Sequence, residues 1–292
     1  MNLNTLWSTR MQSPELLYET RSMRFADVFK ENYTKVFSMD DRKKILEIGC
    51  GPGALAESLS RWYPEAEITG LDRDTNFIEY AKDRNQVIKY IEGDAAAIPL
   101  EDDTYDVTIS NTVQEHIHPD AFWGEQYRVL RDGGICIVLS ARKGIWQMAP
   151  CIREETELEK RIWERVKDTC MAIDKQYNVG AYGLSEMELP KKMESYGFKN
   201  VTTEYLTVNL TPDHPRFSKE MAYRIINSWR ATAISGVVTM KNTAGDRITN
   251  EEYKELLRIH NRKYDERIAL YDAGVKLWDT AMSVTMVLRG EK

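Results

Sequence analysis

Between Lys43 and Lys143 short apolar runs alternate with amphipathic stretches, and each run is followed by a helical pattern. "KILEIG" reads as a buried strand and "ALAESLSRWY" as the helix after it. "EITGLD" is a second strand, and Asp74 or Thr75 caps a helix over "NFIEYAKDR". "VIKYIEGD" and "YDVTISN" are the third and fourth strands. "DAFWGEQYRVLRDGG" is a helix stopped by a glycine C-cap, and "ICIVLSA" a fifth strand. Strands alternating with helices predict a parallel sheet covered on both faces.

Beyond this segment the alternation fails. Leu158, Ile162, Val166, Cys170 and Ile173 mark one face of a long helix. "SEMELPKKMESYGF" opens on a capping box, Ser185 and Glu188, and closes on a glycine; "NVTTEYLTVNL" is a strand. A mostly helical stretch follows, with a second capping box at Thr249 and Glu252, and "AMSVTMVLRG" ends the chain as a strand. Near the N-terminus, Ser13 and Pro14 open a helix that brings Tyr18, Arg21 and Arg24 within a few turns. No repeat or linker divides the chain, so the helical additions are expected to be built onto one sheet.

Composition adds mostly exclusions. The 292 residues are 42% hydrophobic and 29% charged with net charge −6, so no field suits non-specific nucleic-acid binding. No apolar run reaches the length of a membrane span, and "MNLNTLWSTR" lacks a signal-peptide core. Cys50, Cys136, Cys151 and Cys170 have no metal spacing and read as reduced thiols, which predicts a cytoplasmic protein.

The chemistry concentrates in "ILEIGCGPGALAESL". Gly49, Gly51 and Gly53 lie where a strand turns into a helix, which lets a ligand rest on bare backbone in the crevice of an open α/β sheet. "GCGPGA" also fits the dinucleotide fingerprint. Glu47, Asp72 and Asp94 close successive strands, however, and their charges suit an adenosine ligand that carries positive charge and repel one carrying phosphates.

"LEIGCGPG", "GLDRD", "IEGDAAAIPLEDDTYDVTISN", "EHI", "VLRDGG" and "GFKNV" together resemble the class I S-adenosylmethionine-dependent methyltransferases, most of all the small-molecule branch related to the ubiquinone-pathway enzymes. The resemblance implies a Rossmann-like, seven-stranded doubly wound sheet with the last strand antiparallel, and S-adenosyl-L-methionine as cofactor. It places Gly49, Gly51 and Gly53 against the methionyl part and ribose, with Glu47 beneath. It further gives the ribose hydroxyls to Asp72, the flank of the adenine to Arg73, the adenine edge to Asp94 and Ala95, and the methionyl border to Asn111. The expected layout is an N-terminal helical lid (1–36), a cofactor-binding core (37–143), a helical insertion (144–184), a helix and strand of the sheet (185–210), a helical insertion over the site (211–280) and a final strand (281–292).

Methyl transfer needs an aligned nucleophile, and a base only if that nucleophile arrives protonated. His116, just past the fourth strand, is the candidate base; hydrogen bonding to backbone is its other reading. Arg24 or Tyr18 is the candidate for the cofactor's carboxylate. No metal is expected. Trp7, Trp146, Trp163, Trp229 and Trp278 lie outside the core, where they either pack helices or wall a pocket for an aromatic, apolar or cationic small molecule. The alternative to an enzyme is a non-catalytic S-adenosylmethionine sensor or partner subunit.

Overall fold

The apolar runs collect into one sheet. Its strands are β1 (Lys44–Ile48), β2 (Glu67–Asp72), β3 (Lys89–Glu92), β4 (Tyr105–Asn111), β5 (Leu130–Gln147), β6 (Lys199–Leu210) and β7 (Thr280–Glu291). Their order is β3-β2-β1-β4-β5-β7-β6, with β7 antiparallel. β1 pairs in parallel with β2 (Ile48 opposite Leu71) and with β4 (Ile48 opposite Ser110), and β4 pairs in parallel with β5. The chain winds outward from β1 to β3, then returns to β4. The order therefore reverses between β1 and β4, which is where open α/β sheets hold ligands. The computed structural model describes residue 5 and residues 7–176 and 180–292, with residues 10 and 173–176 described by backbone alone. The expected lid segment 1–36 and insertion 144–184 fall partly outside these, as does the side chain of Ile173.

The chain divides into two compact units. The first comprises residues 1–143, 180–208 and 283–292 and holds most of the sheet. Its helices are α1 (Pro14–Arg24), α2 (Lys30–Phe37), α3 (Ala54–Trp62), α4 (Thr75–Arg84), α5 (Pro119–Val129) and α8 (Glu188–Ser195). Leu46, Ile48 and Leu71 of the central strands pack with Ile98, Tyr105 and Val129. Phe122 and Trp123 of α5 pack with Leu189 and Met193 of α8 and with Met286 and Leu288 of β7. The predicted glycine stop of α5 is corrected: the helix ends at Val129, because buried Leu130 turns extended and pairs with Tyr105, so Gly133 and Gly134 lie inside β5.

The second unit comprises residues 144–179 and 209–282, with α6 (Pro150–Arg153), α7 (Glu157–Gln176), α9 (Lys219–Ala244) and α10 (Asn250–Asp272). The predicted face Leu158, Ile162, Val166 and Cys170 packs with Val237, Ile248 and Leu256. Arg267, fully buried, donates to Asp279 at 2.6 Å and to Asp213 at 3.1 Å, so the charges are paired inside the unit. The capping box at Thr249 is formed; Ser185 and Glu188 make the same reciprocal bonds in the turn before α8, whose N-cap is Met187. No helix among the described residues is long and apolar enough to cross a membrane.

Candidate active site

The glycine loop is held from beneath by the second strand. Gly49 and Cys50 donate backbone N–H groups to the Leu71 carbonyl at 2.7 and 3.0 Å, and Gly51 donates to Asp72 Oδ2 at 2.8 Å. Asp72 Oδ1 accepts from the Asp74 amide at 2.8 Å, so one carboxylate ties the loop after β1 to the turn after β2. Burial raises its pKa to about 6, against the opposing pull of the Asp74 and Gly51 amides. Gly53 sits at φ 88°, and a Cβ there would come 2.4 Å from the Tyr90 hydroxyl. At Gly49, φ 67°, a Cβ would come 2.4 Å from Val113 of the loop after β4. A side chain at either position would have to displace the Tyr90 ring of β3 or the Val113 methyls, at a positive φ that favours glycine.

Glu47 is buried at the end of β1, 2% exposed. Burial pushes its pKa well above the usual carboxylate range; the Ala56 amide offsets part of this and Asp72 adds to it. Its Oε2 is shielded and has no hydrogen-bond partner. Asp94 is exposed beyond β3 and accepts from the Ala96 amide at 2.8 Å, while Ala95 is buried beside it. Arg73 is exposed, and Asn111 ends β4 opposite Leu139 of β5. Glu47, Asp72, Asp94, Asn111 and the glycines are thus gathered at the carboxyl ends of adjacent strands around the switch point. Glycines that exclude a Cβ, a buried carboxylate oxygen without a partner and acidic strand ends fit a cationic adenosyl ligand.

The N-terminal segment lies across these strand ends. Ser8 donates through its amide (2.9 Å) and its hydroxyl (2.7 Å) to buried Asp74, which also caps α4 by accepting from the Asn76 amide. Trp7 stands edge-on to His116 with ring centroids 4.8 Å apart, and Leu17 of α1 faces Gly51. Tyr18 is engaged elsewhere: its hydroxyl donates to Glu57 at 2.6 Å and Arg84 stacks on its ring at 3.8 Å. Arg24 is half-buried beside Arg21 and Tyr33, and burial lowers its pKa.

His116 ends a 3-10 turn, Gln114–His116, that follows β4. Residues 180–184 form a strap across this turn: Gly180 donates its amide to His116 Nδ1 (3.1 Å), Tyr182 its amide to the Glu115 carbonyl (2.9 Å), and Gln114 its Nε2 to the Tyr182 carbonyl (2.9 Å). Burial lowers the His116 pKa, Glu115 opposes and Arg73 lowers it further, which favours the neutral ring. A neutral imidazole that accepts at Nδ1 carries its proton on Nε2.

Sequence patterns did not point to Ser8 or the strap, and gave Trp7 only as one of five tryptophans that pack helices or wall a pocket. Asp74 as a helix cap was the available clue to Ser8, since a buried cap carboxylate has a lone pair left for another donor.

Known proteins resemble the same region. A model of a methyltransferase domain family matches residues 46–138. The fatty-acid O-methyltransferase of Mycolicibacterium smegmatis is 36% identical over 104 residues, 34% of this chain and 38% of that protein. The phthiotriol/phenolphthiotriol dimycocerosates methyltransferase of Mycobacterium tuberculosis is 36% identical over 96 residues, 32% of this chain and 35% of the relative. The chain carries a class I S-adenosylmethionine-dependent methyltransferase domain. The match thus spans little more than a third of those relatives' length. A solved structure, Haemonchus contortus phosphoethanolamine N-methyltransferase 2 in complex with phosphomonomethylethanolamine and S-adenosylhomocysteine, shares the fold of this methyltransferase domain. Its TM-score is 0.53 at 15% identity, over 100% of this chain and 60% of that one.

Proposed function

We propose that the chain transfers the methyl group of S-adenosyl-L-methionine to a nucleophilic O, N or S atom of a small molecule. The cofactor supplies an electrophilic methyl on a sulfonium sulfur; the residues here bind, orient and exclude water. The observation that carries this reading is Asp72, fixed at both oxygens by backbone amides directly beside the glycine loop. A carboxylate so placed receives the ribose hydroxyls without reorganising. In the same reading Arg73 flanks the adenine, Asp94 and Ala95 hold its edge, Asn111 borders the methionyl group and Arg24 meets its carboxylate. Glu47, disposed by burial toward its protonated form, offers a shielded oxygen under the ligand, and a cationic ligand favours its ionisation where a dinucleotide's phosphates would oppose it.

His116 acts in this proposal as an anchor for the strap, supported by its Nδ1 contact with Gly180. As a base it would have to release that amide. The acceptor carries an apolar chain, in keeping with the fatty-acid and phthiotriol substrates that the relatives' names give. A cytoplasmic setting belongs to the same reading, in line with four free cysteines. A thermal-shift series with S-adenosylmethionine, S-adenosylhomocysteine and NAD tests it: the adenosyl ligands raise Tm by several degrees and NAD does not. A shift with NAD alone, or with none of the three, defeats it.

A further inference from the structure

Two arginines come close to the turn after β4: Arg21 lies within electrostatic reach of Glu115, and Arg142 reaches the strap that crosses the turn. Arg21 and Arg24 sit one turn apart on α1. Burial lowers the Arg21 pKa to about 10, Arg24 lowers it further, and Glu115 is the counter-charge. Arg142 lies within β5, three residues past Leu139, the partner of Asn111 at the end of β4, where β5 runs on beyond the end of β4. Its Nη1 donates to the Leu184 carbonyl at 2.7 Å, within the strap that also binds Gln114, Glu115 and His116. Its Nε and Nη2 are shielded from solvent and have no hydrogen-bond partner. Glu115 Oε2 is shielded and unpartnered too, so the turn's one carboxylate does not neutralise Arg142.

A shielded charged donor without a partner is costly, and a ligand that supplies the acceptor recovers that cost. Nε and Nη2 form one edge of the guanidinium, the edge that binds a carboxylate through two parallel hydrogen bonds. We propose that the site takes its acceptor as a carboxylate, gripped by Arg142, and methylates a carboxylate oxygen. This deepens the methyl-transfer reading and rests on it.

The chemistry balances without a further reactant. A carboxylate oxygen donates a lone pair to the methyl carbon, and the new O–C bond forms as the S–C bond breaks. The electron pair of that bond passes to sulfur, giving a methyl ester and a neutral thioether. No proton is released, so no base is needed, which agrees with His116 Nδ1 being occupied by Gly180. The ester has lost the charge that Arg142 grips, which favours product release.

Calorimetry on the full chain separates the two layers of inference. S-adenosylhomocysteine is titrated first, then octanoate, octanol and octylamine into the saturated protein, for wild type and Arg142→Gln. Octanoate is expected to bind about tenfold or more tighter than the alcohol and amine, and to lose about tenfold in Arg142→Gln while the S-adenosylhomocysteine Kd stays within about twofold. Octanoate binding no better than octanol or octylamine overturns the carboxylate assignment. So does an Arg142→Gln effect that falls on the cofactor instead. Absence of S-adenosylhomocysteine binding defeats the methyl-transfer reading itself. Should Arg142→Gln fail to fold, wild-type selectivity among the three probes decides the matter.

Discussion

The two sides of the crevice in the first unit treat their charges differently. On the glycine-loop side the carboxylates are tied into backbone: Asp72 takes the Gly51 and Asp74 amides, Asp74 takes Ser8 and Asn76, and Asp94 takes Ala96. Glu47, with one shielded free oxygen, is the exception. On the acceptor side Arg142 and Glu115 keep shielded atoms with no partner, and the strap is held through backbone contacts. The first arrangement is pre-organised for a fixed ligand and costs nothing to assemble at binding. The second leaves shielded polar atoms without a partner, which in the proposal above the acceptor satisfies.

The sharpest way to break the pre-organised side is Gly53→Ala. It places a side chain at φ 88° and 2.4 Å from the Tyr90 hydroxyl. Cofactor affinity should fall by about a hundredfold or more, with about 2 kcal/mol lost from stability; titration calorimetry and a denaturant midpoint measure the two. Asp72→Asn comes next, with affinity down about thirtyfold from loss of a charge-assisted acceptor.

The same carboxylate sets a pH dependence. Its pKa is raised in the fold, from 3.8 to about 6, so the folded state favours the protonated form. Its contribution to stability without ligand is therefore largest below pH 3.8 and is lost as pH rises through about 6. Ribose binding needs the ionised form, so cofactor affinity runs the other way, rising through about pH 6 to a plateau. Affinity measured at pH 5 and pH 7.5 shows this, and a flat profile would contradict it.

Asp74→Ala removes a helix cap and the Ser8 anchor together, and should cost about 1–2 kcal/mol in chemical denaturation. His116→Ala is the smallest: as an anchor it should lower kcat by less than about tenfold, whereas loss of a general base costs about 100-fold or more.

The glycine-loop side was legible in the sequence because its chemistry is local. Gly49 to Gly53 must turn within a few residues, and Glu47, Asp72 and Asp94 each follow a strand whose apolar run announces it. Alternating runs likewise predicted the sheet up to β5. The stop of α5 was misplaced because "RDGG" offered a glycine cap while Leu130, a tertiary partner of Tyr105, ended the helix earlier. The acceptor side was opaque for the same reason. Arg142 and residues 180–184 are far apart in the chain and meet only through the fold, and the Ser8–Asp74 contact spans 66 residues. In the second unit, helical periodicity gave the Leu158–Cys170 face, but nothing local pairs Arg267 with Asp213 and Asp279.

The central claim is that the Asp72-anchored glycine loop is an S-adenosylmethionine site. Titration calorimetry of S-adenosylhomocysteine into wild-type protein and Asp72→Asn at pH 7.5 tests it most directly. The prediction is a saturable one-to-one isotherm for the wild type and a Kd about thirtyfold weaker in the variant. Equal affinity in both proteins, or no isotherm in the wild type, would contradict it.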